Sequence, residues 1–169
     1  MLNCEDKMQD RIWINLANIK FKAIYTSKVS RRSYNVGNIY SFFLAVASAS
    51  SVAAWAIWNK IPIAWAIIVA ISQLLIIAKP YIPFVKNDRE LADQSLLFDE
   101  LYLSYEKLWF EYAKQNVNGD QFETELYRLR EKEHEINVRF KHVVCPNFKG
   151  IIKLADEETN IFLQTHFKR

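Results

Sequence analysis

Glycine is nearly missing from this sequence. There are three in 169 residues, Gly37, Gly119 and Gly150, against an average near ~7%. They lie far apart, so the glycine-rich loops that cradle dinucleotides or phosphates are excluded. Cysteine is equally scarce. Cys4 and Cys145 form no C-x-x-C pair, which argues against a disulfide scaffold and against a cysteine-rich zinc module. Acid is missing from one long stretch: from Ile39 to Ala78 there is no Asp or Glu, and the single formal charge is Lys60. Charged residues still make up 24% of the chain, too many for a polytopic transporter, so the charge is concentrated outside that stretch.

Catalytic patterns are absent as well. His134 and Glu135 are followed by Val138 where an H-E-x-x-H site needs histidine. His142 and Cys145 have no second pair of metal-type ligands. A cysteine nucleophile assisted by His142 is conceivable on spacing, but a cysteine beside Pro146 after a helix end more often serves packing. No G-x-S-x-G elbow occurs. Beyond residue 88 acids and bases alternate, so no nucleic-acid groove is expected. The chain reads as a non-enzyme with no cofactor and no metal.

What is present is an apolar hairpin. Residues 39–58 are 20 without charge, and 61–78 are 18 more. A helix rises 1.5 Å per residue, so 20 residues span about 30 Å, the depth of a bilayer's hydrocarbon core. A buried helix of a soluble protein rarely runs this far without a polar face. Pro62 suits a first helical turn. Trp55, Trp58 and Trp65 flank the Asn59–Lys60 turn, where amphipathic rings favour the headgroup layer. Lys20, Lys22, Lys28, Arg31 and Arg32 precede the first run, and Lys79, Lys86 and Arg89 follow the second. That asymmetry predicts a multi-pass protein with both termini in the cytoplasm.

Neither run contains Asp, Glu, Lys, Arg or His, so a proton relay or voltage sensor is not expected. Ser41, Ala45, Ala49 and Ala53 recur every four residues, a stripe that lets helices approach closely in lipid. The stripe predicts packing within the hairpin or between protomers of a homo-oligomer. In an oligomeric pore Ser48, Ser51, Ser72 and Gln73 are the candidate lining residues.

The flanking segments are amphipathic. Over residues 9–36, Ile12, Leu16, Ile19 and Ala23 form one helical face. Two placements are open for it: on anionic lipid headgroups, with Lys28, Arg31, Arg32 and later Lys79 as anchors, or against the C-terminal helices. Over residues 88–143 two heptad-patterned helices, joined by a turn at Asn116–Asp120 where Gly119 is free to take positive φ, predict an antiparallel hairpin. Glu133 is the one polar member of its apolar row. Acids at 156–158 predict a short terminal helix over 156–167. The expected fold is an all-α integral membrane protein: a two-helix transmembrane hairpin with a cytoplasmic amphipathic N-terminal helix and a C-terminal helical hairpin.

This layout, with the run RELADQSLLFDELYLSYEKLWFEY after the second span, resembles the SLATT family of two-transmembrane effectors associated with bacterial nucleotide-signalling and conflict systems. The resemblance covers most of the chain and rests on architecture rather than on an invariant motif. It implies an oligomeric pore in the bacterial inner membrane that permeabilises an infected cell in anti-phage defence. It also implies a trigger outside this chain, either a separate cytoplasmic sensor protein or a cyclic nucleotide. The alternative from another class is a non-conducting, membrane-anchored adaptor whose cytoplasmic helices dock a partner.

Overall fold

The computed structural model describes residues 4–57, 62–78, 87–114 and 118–167. Within them the protein is all-α. The helices are α1 (Cys4–Ile57), α2 (Pro62–Ala78), α3 (Asp88–Ala113), α4 (Gly119–Arg139) and α5 (Lys149–Phe167).

The largest departure from the sequence reading is α1. A basic amphipathic helix and a first apolar run were expected as separate segments, meeting near Gly37. They form one helix of 54 residues, about 80 Å long at 1.5 Å per residue. Gly37 and Asn38 could end one helix and start another, yet the helix runs through them. There is no proline between residues 33 and 40, and one interior glycine costs only about 1 kcal/mol.

The N-terminal half of α1 is the strut of a four-helix bundle. Its Ile12, Leu16, Ile19 and Ala23 are buried against Phe98, Leu101, Tyr102, Tyr105 and Leu108 of α3. Phe122, Leu126, Leu129 and Ile136 of α4, Phe140 at its C-cap and Leu163 of α5 complete this core. Helix α1 packs most extensively on α3 and next on α5, while α3 and α4 form a hairpin. A second, smaller cluster joins Val29 of α1, Leu91 of α3 and Ile151 of α5. Of the two placements for residues 9–36, the apolar face therefore lies in protein. It is not available to rest on lipid headgroups.

Cations on α1 reach acids on each neighbour. Arg11 lies 3.6 Å from Glu123 on α4, Lys20 2.9 Å from Asp99 on α3, and Lys22 2.6 Å from Glu133 on α4. Lys28 pairs with Glu158 on α5. Glu133 interrupts the apolar row of α4 because Lys22 meets it there. The buried hydroxyls of Thr26, Ser33 and Thr159 donate back to the carbonyls of Lys22, Val29 and Ala155, so none is stranded.

Two helix starts differ from expectation. Helix α4 begins at Gly119 with Asn118 as its N-cap, the side chain accepting from the Gln121 N–H at 3.0 Å. Gly119 is thus the first helical residue rather than a turn residue at positive φ. Its Cα faces Met8, whose Cε lies 3.7 Å from where a Cβ would sit. Helix α5 begins at Lys149, seven residues before the acids expected to start it. Its buried face is Ile151, Ala155, Thr159 and Leu163. Two of those four are small or polar, so the face is weakly visible in sequence.

Candidate functional site

The surface that separates this protein from an ordinary helical bundle is the far half of α1 together with α2. Ile39, Phe42 and Phe43 of α1 are exposed. On α2, Ile63, Ile67, Ile71, Leu74, Ile76 and Ile77 are 45–75% exposed. Ile63, Ile67, Ile71, Leu74 and Ile77 share one face of the helix, and Ile76 lies on the other side. Ser72 is the one described α2 side chain that is buried, and it has a partner. Helix α2 touches α1 only lightly. A helix this apolar needs apolar surroundings, and among its described side chains only Ser72 is buried by the protein.

The size of this mismatch can be bounded. Nine large apolar side chains on this surface are 40–75% exposed. Full burial of such a residue is worth about 1.5–3 kcal/mol. Half of that, summed over the set, is about 10 kcal/mol, comparable to the whole stability of a domain. Such a surface is expected to be covered. Among the described residues, however, no helix is by itself long and apolar enough to cross a membrane. Helix α2 has 17 residues, about 25 Å.

The residues singled out from sequence fall in three places. In the small-residue stripe, Ser41 and Ala45 are exposed on α1, and Ala45 has an interaction partner. Ala49 and Ala53 follow on the same helix, but their side chains lie outside the described ones, as do those of Ser48, Ser51, Trp55 and Trp65. Trp58 and Lys79 lie wholly outside the described residues. Of the two lining candidates on α2, Ser72 is buried and Gln73 exposed. They are adjacent, about 100° apart around the helix axis. Of the basic anchors, Lys28 is engaged with Glu158. The Arg32 guanidinium sits 4.7 Å from the centre of the Phe148 ring. Arg31 points into a cavity between α1 and α3.

The loop between α4 and α5 is pinned to α1. The Tyr25 hydroxyl donates to the Pro146 carbonyl, and Phe148 lies under Arg32. His142 Nε2 lies 3.5 Å from Glu90 Oε2 on α3, while Cys145 sits beside Tyr25 of α1. The Cys145 residue is exposed, yet its sulfur is desolvated enough to push the thiol's pKa up, with the Tyr25 contact opposing. A raised pKa leaves little thiolate at neutral pH, which is unfavourable for a nucleophile. Among the described residues no group of three or more His, Cys, Asp or Glu is placed to hold a metal ion.

At the far end of the bundle an aromatic cluster closes the core. Trp13 lies edge-on to Phe167 at 5.2 Å, and Trp109 to Phe167 at 5.1 Å. Lys20 reaches between the rings of Tyr102 and Phe162, 4.4 and 4.5 Å from their centres. Sequence reasoning did not pick out this cluster, because its members come from α1, α3 and α5.

No family model, no curated protein and no solved structure matches the chain.

Proposed function

We propose that this protein is a two-span membrane effector whose hairpin, the far half of α1 with α2, lies in the lipid bilayer of a bacterial inner membrane. Copies of the chain assemble there into a pore that opens on a signal from a cytoplasmic partner or a nucleotide. The observation that carries the reading is the apolar exposure of α2 and distal α1 beside a charge-free sequence run. The bilayer is the apolar surrounding that such a surface needs. The spanning role is drawn from the run and the exposure together, not from helix length. The resemblance to the SLATT family adds the expectation of a pore serving anti-phage defence.

On this reading α1 is one continuous rod from the bundle core into the lipid. A change of packing in the bundle moves the hairpin without an intervening hinge. The small-residue stripe is the surface through which protomers meet. Ala49→Leu or Ala53→Leu is expected to abolish depolarisation of cells expressing the full chain with its neighbouring genes, and to shrink the oligomer in detergent. Retained depolarisation and an unchanged oligomer in both variants would sink the pore.

The adaptor reading has one observation in its favour. Leu96, Leu103 and Phe110 are exposed at seven-residue spacing on the outer side of α3. Such a row suits docking of a helix. If membrane potential stays constant under every inducing condition while a partner co-purifies through this row, the adaptor replaces the pore.

A further inference from the structure

Ion pairs run along α1 from Arg11 to Lys28, each cation meeting an acid on a neighbouring helix. The pattern stops at Arg31. Arg31 and Arg89, from α1 and α3, line a cavity of about 430 Å³ with Ser27, Tyr34, Asp88 and Ser95. Neither guanidinium forms an ion pair or a hydrogen bond among the described residues. Arg32, one residue along, is by contrast engaged with Phe148.

The cavity is held open by a built frame. Ser30 is buried and its hydroxyl donates to the Asp88 carbonyl at 2.9 Å. Ser95 donates to the Ala23 carbonyl at 3.0 Å. These two bonds clamp α3 to α1 at the cavity wall. The donors left for a ligand are the two guanidinium groups and the hydroxyls of Ser27 and Tyr34. Among the described lining residues Asp88 is the one acid beside Arg31 and Arg89, so this lining carries one net positive charge. Two forked cations with flanking hydroxyls match the oxygens of a phosphate group, and guanidinium binds phosphate bidentately. The volume falls within the range of small-molecule sites, larger than inorganic phosphate alone requires.

We propose that this cavity binds a phosphate monoester, gripped by Arg31 and Arg89. Two sources present that group. Arg31 lies eight residues before Ile39, about 12 Å along the helix. On the membrane reading this is close to the headgroup layer, so an anionic lipid headgroup can enter; that source rests on the membrane reading. A soluble nucleotide can enter from the aqueous side, and that source does not depend on it. In either case the ligand bridges α1 to the first turn of α3, the junction between bundle and hairpin.

The test uses the full chain in neutral detergent, titrated with AMP and with short-chain phosphatidic acid. Adenosine and the matching diacylglycerol serve as phosphate-free controls. At least one phosphate probe is expected to bind, with its control silent. Arg31→Gln and Arg89→Gln are each expected to weaken it about tenfold, as loss of one charge-assisted hydrogen bond does. Arg32→Gln is expected to leave binding unchanged. Asp88→Asn should strengthen binding, which a merely destabilised variant cannot do. Binding of AMP alone assigns a nucleotide, of phosphatidic acid alone a headgroup, and of both a site for the phosphate group itself. No binding by either probe below millimolar concentration overturns the proposal, as does equal binding by the Arg31→Gln, Arg89→Gln double variant. The pore reading stands or falls separately, because this measurement needs neither assembly nor conduction.

Discussion

Tyr105 is fully buried in the bundle core, and among the described residues its hydroxyl has no hydrogen-bond partner. Its ring packs within the core that α1 shares with α3 and α4. A buried hydroxyl without a partner carries a desolvation penalty of about 1–3 kcal/mol. Tyr105→Phe keeps the ring and deletes the penalty. It is expected to raise stability by about 1 kcal/mol, or roughly 2–4 °C in melting temperature for a chain of this size. The variant should also change the alkaline limb. Burial, reinforced by the charge of Glu133 and opposed by Arg130, pushes the Tyr105 pKa from 10.0 to about 12. Between those values the unfolded chain gives up the proton and the folded chain keeps it. Stability from this group is fully present below pH 10 and is lost as pH rises towards 12, by about 1.4 kcal/mol per pH unit. Tyr102 contributes in the same direction, because burial and its bond to Glu106 raise its pKa too. The clean quantity is therefore the difference between variant and parent, from thermal melts followed by circular dichroism at pH 8, 10 and 11. It should be positive at pH 8 and grow above pH 10. A variant less stable than the parent at pH 8 would refute the reasoning, because it would mean that the hydroxyl is bonded.

Other positions give equally definite expectations. Asn118→Ala removes the side-chain cap of α4 and should cost about 1 kcal/mol in the same melts, with most of the loss recovered by Asn118→Asp or Asn118→Ser. Leu16→Ala opens a cavity where α1 meets the core and should cost about 2–5 kcal/mol; a cost below 1 kcal/mol would show that α1 is not the strut of the bundle. Gly37→Pro breaks the continuity of α1 between the bundle and the apolar run. It should leave the melting of the bundle nearly unchanged while abolishing any activity that needs bundle and hairpin to move together.

The sequence made some parts of this fold easy to read and hid others, for physical reasons. The face Ile12, Leu16, Ile19 and Ala23 was visible because it repeats at helical spacing with large side chains. Whether lipid or protein covered it was not, because both are apolar and the spacing is the same. Glu133 looked like a flaw in the α4 row until Lys22, 111 positions away, was seen to meet it at 2.6 Å. The continuity of α1 was hidden by a change in composition at residue 39, across which the helix runs without a break. The start of α5 was missed because its buried face relies on Ala155 and Thr159. The cavity at Arg31 and Arg89 draws on two helices whose lining residues lie some sixty positions apart. In the sequence Arg31 reads only as one of several basic residues before an apolar run, and only the pairing of its neighbours sets it apart.

The most direct measurement of the membrane reading is the sidedness of the turn between the two apolar runs. In a chain carrying Cys4→Ser and Cys145→Ser, a single cysteine is placed at Asn59 or, for comparison, at the half-exposed Glu125 on α4. Intact bacterial spheroplasts are then treated with a membrane-impermeant maleimide. Labelling of Asn59→Cys in intact spheroplasts, with Glu125→Cys labelled only after lysis, is the expected result. Labelling of both positions only after lysis would contradict the two-span hairpin and leave its apolar surface to be covered by protein.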